Sequence, residues 1–413
     1  MRATCRLSGK SLRPVIDLGI FYISNFFSER DDSASRAPLR LGIGEESGLL
    51  QLMDSIDRAP LFKTYWYRSG TNNTMRKQLS DVVAYALNWA RLRESDVVLD
   101  IGCNDGTLLN CYPAGIDIIK VGIDPAENLA EEARSCCRYH AVGFFSKDVF
   151  KSLVGGRKAK IITSIAMFYG LEDPHAFVSD LVECLADDGI WVLQLSYTPL
   201  MIIQNAFDNI CHEHLEYYTL MSLNYLLQRH GLRVIDVDFN DTNAGSIRVV
   251  IAKESNPMKD APLFLRDIGQ YRCQATLTYE HKLQLDDPGV YLNYMKKLCA
   301  LKQSTLEALR DIRRHGKSVM GYGASTKGNT LLQFYGLGPG LIDAIAERQA
   351  QKCGLLTPGS WIPIISEEEM RRRKPDYLLV LPWHFINEFL EREQEFLRRG
   401  GHFIIPLPEL RIV

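Results

Sequence analysis

Residues 208–218 read DNICHEHLEYY. Two histidines flank Glu213, Cys211 stands in front and two tyrosines follow. Three chemistries use these groups. A His-x-His pair on an extended chain chelates zinc, although no third ligand sits at a recognisable spacing, close as Glu216 is. An imidazole titrating near neutrality beside a carboxylate moves a proton. A polar loop needs no chemistry at all. The eleven residues do not choose among them.

A second stretch, VVLDIGCNDGTLLN, runs from an apolar strand through D-x-G-x-x-x-G into a helix. Gly102 and Gly106 allow close approach of a ligand to the backbone, and the helix start offers free N–H groups. Asp124 follows eighteen residues beyond Gly106, at the end of the next strand, where a carboxylate accepts two ribose hydroxyls. A dinucleotide calls for G-x-G-x-x-G, yet Cys103, Asn104 and Asp105 separate the two glycines. Asp105 would repel a pyrophosphate and tolerate a sulfonium carrying an ammonium group. The pattern resembles the S-adenosylmethionine motif of class I methyltransferases; the plain alternative is a tight turn in an α/β domain.

These groups need elements to hold them. The sequence predicts a small N-terminal module over 1–70, an alternating strand–helix domain over 71–253, a helical connector over 254–315 and a second alternating domain over 316–413. VVLDIG, IKVGID, KIITSIA and GIWVLQLS are short apolar runs suited to parallel strands buried on both faces. RVIDVDF and SIRVVIA, joined by NDTNAG, read as a hairpin. KSVMGYGASTKGNTLLQFYG repeats the strand–glycine–helix theme, and LIDAIAER, DYLLVLPW and HFIIPLP supply further strands. The fold class is therefore α/β, with two Rossmann-like domains.

Composition narrows the classes. A formal net charge of -2 in 413 residues gives no basic surface for nucleic acid. No apolar run approaches a membrane span, and the N-terminus lacks a signal peptide's apolar core. Ten scattered cysteines read as reduced thiols, so a cytoplasmic setting is expected.

Several stretches together resemble the NDP-sugar C-methyltransferases, which place a methyl branch on a nucleotide-linked keto-deoxysugar. They include YWYRSGTNNTM (65–75), VLDIGCNDGTLL (98–109), AMFYGLEDPHAFV (166–178), NICHEHLEYYTL (209–220), NAGSIRV (243–249), GYGASTKGNTLL (321–332) and LLTPGSWIPII (355–365), in order along nearly the whole chain. The family's N-terminal module carries two Cys-x-x-Cys pairs on a structural zinc. Here Cys5 remains, while Ser8, Gly44 and Ser47 occupy the other ligand positions, so no metal is expected; Phe26, Leu49 and Leu52 would hold the module by packing.

The resemblance implies S-adenosylmethionine as cofactor, with Gly102, Asn104, Asp105, Gly106, Asp124 and Ala166 around it. It implies an NDP-4-keto-6-deoxyhexose as substrate; a monomer is the plain expectation, and the sequence leaves the oligomeric state open. His214 resembles the general base, Glu213 would orient it, and His212 is the second choice. Tyr65 and Tyr67 would donate to the oxyanion at C4, although amphipathic packing explains them equally well. Cys211 stands where some relatives have tyrosine. Tyr322, Ser325, Lys327, Arg348, Gln351 and Lys352 would hold the sugar nucleotide, with Lys327 as a point charge on the diphosphate and Trp383-His384 near the base. The competing functions are an NAD-dependent oxidoreductase, an O- or N-methyltransferase on another small molecule, and a non-catalytic descendant, against which Gly102, Gly106, Asp124, Glu213 and His214 stand intact.

Overall fold

The computed structural model describes residues 2–23, 26–57 and 59–413. The first sheet is antiparallel: β1 (Leu12–Tyr22), β2 (Arg36–Gly44) and β3 (Leu50–Leu52). Leu39, Leu41 and Ile43 alternate along β2 and are buried, the period-two pattern of a sheet with one covered face.

The second sheet begins with β4 (Val97–Ile101), β5 (Ile119–Asp124), β6 (Tyr139–Val142), β7 (Ala159–Ile165) and β8 (Leu185–Ser196), all parallel. The chain then leaves it, and β9 (Glu216–Tyr217) pairs with β3 of the first sheet. It returns as the antiparallel pair β10 (Leu232–Asn240) and β11 (Ser246–Lys253), giving the order β10-β11-β8-β7-β4-β5-β6. Every residue of β4 is buried, as expected of a strand covered on both faces. The strand order reverses at β4, so a crevice opens beyond its carboxyl end.

The third sheet repeats the plan with β12 (Val319–Tyr322), β13 (Ile345–Glu347), β14 (Ile364–Ser366), β15 (Tyr377–Val380), β16 (His402–Ile405) and β17 (Arg411–Ile412), in the order β14-β13-β12-β15-β16-β17. Its switch point is β12, which feeds the GYGAS turn. Between the second and third sheets run two helices, Leu263–Leu283 and Pro288–Arg314. The second buries Tyr291, Tyr294, Leu298, Leu309 and Ile312, a stripe at helical spacing. That stripe joins one apolar core with Leu41 of the first sheet, Phe207, Ile210 and Leu215 of the loop before β9, and Leu331 and Leu379 of the C-terminal domain. The two Rossmann-like domains thus share one core. No helix among the described residues is long and apolar enough to cross a membrane.

Four of these strands differ from the sequence expectation. β8 starts at Leu185, because the preceding helix ends at Cys184, ahead of the GIWVLQLS run. β6, β14 and β17 were not read from the sequence: β14 and β17 hold three and two residues, and β6 has no buried residue to mark a pattern.

Candidate functional site

The cofactor turn leaves β4 with three left-handed residues, Gly102 (φ 75°), Asn104 (φ 53°) and Gly106 (φ 79°). A Cβ on Gly106 would fall 2.6 Å from Cys136 Cβ, so this glycine admits a neighbouring helix as well as the turn itself. Asp124 ends β5, nearly buried. Its Oδ2 accepts the Asn104 N–H and its Oδ1 the Ala126 N–H, both at 2.8 Å. Each oxygen keeps a lone pair, so the carboxylate fits the two hydroxyls of an adenosine ribose. Ala166 follows β7 at φ 56°, an uncommon conformation for alanine, held by its N–H on Gln194 O at 2.8 Å.

The side chains of Asn104 and Asp105 do something the sequence did not suggest. Asn104 donates to Tyr67 O at 3.0 Å and accepts from Ser69 N at 2.9 Å. Asp105 Oδ2 accepts from Gly70 N at 2.7 Å. Asn128 completes the set, exchanging hydrogen bonds with both the N–H (2.9 Å) and the carbonyl (3.0 Å) of Tyr65. Residues 65–70 therefore form a strap across the cofactor turn. The side chains of Asn104 and Asp105 thus hold the strap in place beside the cofactor turn.

The strap brings Tyr65 and Tyr67 to the DNICHEH loop. Burial, then the nearby Glu213, raises the Tyr65 phenol well above its ordinary range; burial, then Asp105, raises Tyr67. Both phenols stay protonated donors. Tyr67 is 40% exposed, so its ring reaches solvent. Tyr169, absent from the sequence reading, joins them: its ring centroid lies 4.1 Å from that of His214, and its carbonyl accepts the Leu215 N–H at 2.7 Å.

His214 Nδ1 meets Asn209 O at 2.8 Å. A carbonyl only accepts, so Nδ1 carries the proton and Nε2 keeps its lone pair for a substrate. Burial, and secondly Lys327, pushes the His214 pKa down to about 3, so the ring is neutral at physiological pH. The orienting partner is Asn209, not Glu213 as expected; no hydrogen bond or ion pair ties the Glu213 side chain down among the described residues. Burial raises Glu213 to about 7. His212 points elsewhere, its Nε2 3.1 Å from Ala37 O of β2, which makes it a strut between loop and first sheet. The two imidazoles have separate partners. No group of three or more His, Cys, Asp or Glu side chains gathers around a common point among the described residues.

The C-terminal domain sorts its expected residues differently. Tyr322 is buried in the domain core, its hydroxyl donating toward Glu393 (2.8 Å) and Glu367 (3.1 Å) and accepting from Arg392 (3.1 Å), so it does not reach a ligand. Lys352 is also buried, donating to Ala324 O at 2.8 Å; it braces the glycine turn from beneath. Ser325 caps the helix Thr326–Tyr335, accepting from Gly328 N at 3.0 Å. Arg348 and Gln351 stand exposed beyond the end of β13, free to meet a phosphate. Glu347, which the sequence reading passed over, ends β13 as Asp124 ends β5: it accepts the Ala324 N–H of its own glycine turn at 2.8 Å. An acid closing DAIAE after a strand–glycine–helix unit was the available signal. Lys327 faces inward, its Nζ 3.5 Å from Asn243 O. His384 lies near it, burial and Lys327 holding its pKa down to about 3. Trp383 Nε1 donates to Asp208 Oδ2 at 3.1 Å, linking the C-terminal domain to the DNICHEH loop.

At the N-terminus, Cys5 Sγ lies 3.1 Å from Ser47 Oγ, and a Cβ on Gly44 would fall 2.7 Å from Cys5 Sγ. One thiol, two hydroxyls and a glycine are not a zinc donor set. Leu49 and Leu52 are fully buried, and Arg6 adds a buried ion pair with Glu216 of β9 at 3.5 Å.

A reversed-order parallel sheet with a glycine turn and a terminal carboxylate, ending in an antiparallel pair, defines a class I methyltransferase domain, whose methyl donor is S-adenosylmethionine. Residues 72–237 match the methyltransferase domain family, and residues 241–408 the C-methyltransferase C-terminal domain family. C-methyltransferase NovU of Streptomyces niveus is 30% identical over 393 residues, covering 94% of this chain and 91% of that protein. Among solved structures, magnesium protoporphyrin IX methyltransferase of Synechocystis with bound S-adenosylmethionine is 14% identical, with a TM-score of 0.35 over 48% of this chain and 99% of that one. The N-methyltransferase NodS of Bradyrhizobium japonicum is 13% identical, with a TM-score of 0.33 over 44% and 98%. The chain belongs to the C-methyltransferase family.

Proposed function

We propose that this C-methyltransferase adds a methyl group to C3 of a nucleotide-linked 4-keto-6-deoxysugar bound between its two Rossmann-like domains, with His214 as the base. The observation that carries this reading is the His214 ring, locked by Asn209 O so that Nε2 is unprotonated, with Tyr169 against the ring and Tyr65 near Tyr169 and the neighbouring Glu213. When bound, S-adenosylmethionine supplies an electrophilic methyl on a sulfonium. The keto group acidifies the C3 hydrogen, and Nε2 takes that proton. The buried phenols remain donors for the oxygen at C4. Glu213, one residue from His214, offers a carboxylate that steadies the imidazolium once it forms. Asp124 holds the ribose of the cofactor, while Arg348 and Gln351 receive the sugar nucleotide. The ten free cysteines fit a cytoplasmic setting.

A second reading has one observation in its favour. Glu213 titrates near 7 and His214 near 3, so the carboxylate is the stronger resting base. His214→Asn separates the two. With His214 as base, turnover falls by roughly 10²–10⁴-fold while both ligands still bind. With Glu213 as base, that loss belongs to Glu213→Gln instead. The assay is methyl transfer to a panel of 4-keto-6-deoxysugar nucleotides followed by mass spectrometry. Finding no methylated sugar in the panel would sink the substrate assignment.

A further inference from the structure

Lys327 opens the helix Thr326–Tyr335, where a diphosphate contact would need its side chain to face outward along the helix start. The packing turns it the other way. One turn later, Thr330 Oγ1 donates to Ile210 O at 3.1 Å, and Phe207 packs against Phe334 of the same helix, ring centroids 4.9 Å apart and tilted by 60°. That face is pressed onto the loop that carries His214. The Lys327 ammonium has a single long hydrogen bond, 3.5 Å to Asn243 O, and no ion pair within 4.0 Å among the described residues. Its field is felt at Asp208, Cys211, His214 and His384. Asp208 is raised to about 6 by burial, against the opposing pull of Lys327 and of the hydrogen bond from Trp383. Burial lowers the Lys327 pKa and the Asp208 carboxylate opposes that, which keeps a charged group with donors to spare beside the base, a site for a transient anion.

We propose that Lys327 is a catalytic residue: its ammonium binds the oxyanion that forms at C4 of the sugar when His214 removes the C3 proton. The inference rests on the sugar-nucleotide reading above. The electrons balance simply. The C3–H pair becomes the C3–C4 π bond, the carbonyl π pair moves onto O4, and the proton goes to Nε2 of His214. A positive charge beside a base lowers its resting basicity. Here that cost is offset because the same charge stabilises the enolate formed with the imidazolium. Tyr65 and Tyr67 contribute neutral donors; Lys327 contributes the charge.

The test is exchange of deuterium from C3 of a 4-keto-6-deoxysugar nucleotide into water, together with kcat and KM for methyl transfer, on wild type, Lys327→Met and Lys327→Arg. Exchange is expected to fall about 10²–10³-fold in Lys327→Met, with kcat falling alongside it. Lys327→Arg should recover a large part of both, and nucleotide-sugar affinity should change less than about threefold. A Lys327→Met enzyme with normal kcat and a raised KM would overturn the proposal and return the lysine to a diphosphate. Equal loss in Lys327→Arg and Lys327→Met, with altered thermal melts, would overturn it in favour of a structural role. If wild type neither exchanges nor methylates any sugar nucleotide, the substrate reading itself falls.

Discussion

The Asn104 side chain holds the carbonyl of Tyr67 at 3.0 Å, so the turn that receives the cofactor also holds the segment that reaches over the acceptor. The same amide accepts from Ser69 N. Asn104 replaces a strand-like pairing between two stretches of chain that share no sheet. Asn104→Ala removes two hydrogen bonds of about 0.5–1.5 kcal/mol each. The expected result is a fall of about tenfold in kcat/KM for the sugar, with S-adenosylmethionine affinity falling less. Steady-state kinetics beside calorimetry reads both; equal losses in the two would mean that the turn itself has collapsed.

The pH profile should carry the signature of Glu213 and not of His214. Burial and Lys327 keep His214 neutral down to about pH 3, so its protonation produces no inflection near 6.5. Glu213, raised to about 7, is protonated below neutrality and then offers no counter-charge to the imidazolium. The rate of C3 exchange is therefore expected to fall as pH drops through about 7 and to level off above it. Glu213→Gln should be slow and flat across pH 6–8. Asp208 titrates near 6 and faces Lys327, so an inflection surviving in Glu213→Gln would belong to Asp208 instead.

Asp124 is held by two backbone N–H groups, which fixes its carboxylate for a ribose whether or not a ligand is present. Asp124→Ala should weaken S-adenosylmethionine by about 1–3 kcal/mol, the scale for hydrogen bonds to a charged group. Unchanged affinity by calorimetry would remove Asp124 from the cofactor site.

Purified protein is expected to carry no stoichiometric zinc, because Cys5 alone supplies a thiol among Cys5, Ser8, Gly44 and Ser47. Elemental analysis returning one zinc per chain would overturn this.

Arg6 and Glu216 form an ion pair with both side chains wholly buried, and Arg6 also donates to Leu52 O at 2.9 Å. Breaking one side of such a pair costs about 3–5 kcal/mol, whereas replacing both by apolar groups costs far less. Arg6→Met should lower stability on that scale in urea unfolding, and Arg6→Met with Glu216→Leu should recover most of it. Similar stability of wild type and Arg6→Met would show that packing alone holds β9 to β3.

What the sequence determined by itself is local. The glycine turn, Asp124 at the end of the next strand and the hairpin after β8 each sit within a few tens of residues, and strand period and turn chemistry follow from such short windows. The HEH stretch was visible as chemistry for the same reason, and its resemblance to the sugar C-methyltransferases supplied a role for His214. Tertiary structure alone decided who faces whom. Asn209 rather than Glu213 orients His214, because the 3-10 turn Phe207–Asn209 folds its carbonyl back onto the ring. Asn104 and Asp105 hold the strap because the chain crosses back over its own cofactor turn. Tyr322 and Lys352 turn inward because their polar atoms find partners 45 and 28 residues away, at Glu367 and Ala324. Lys327 meets the HEH loop because a helix of one domain packs on a loop of the other, across more than a hundred residues of chain. No spacing rule in a sequence carries a contact of that kind: it is set by the shared apolar core that brings the two domains together.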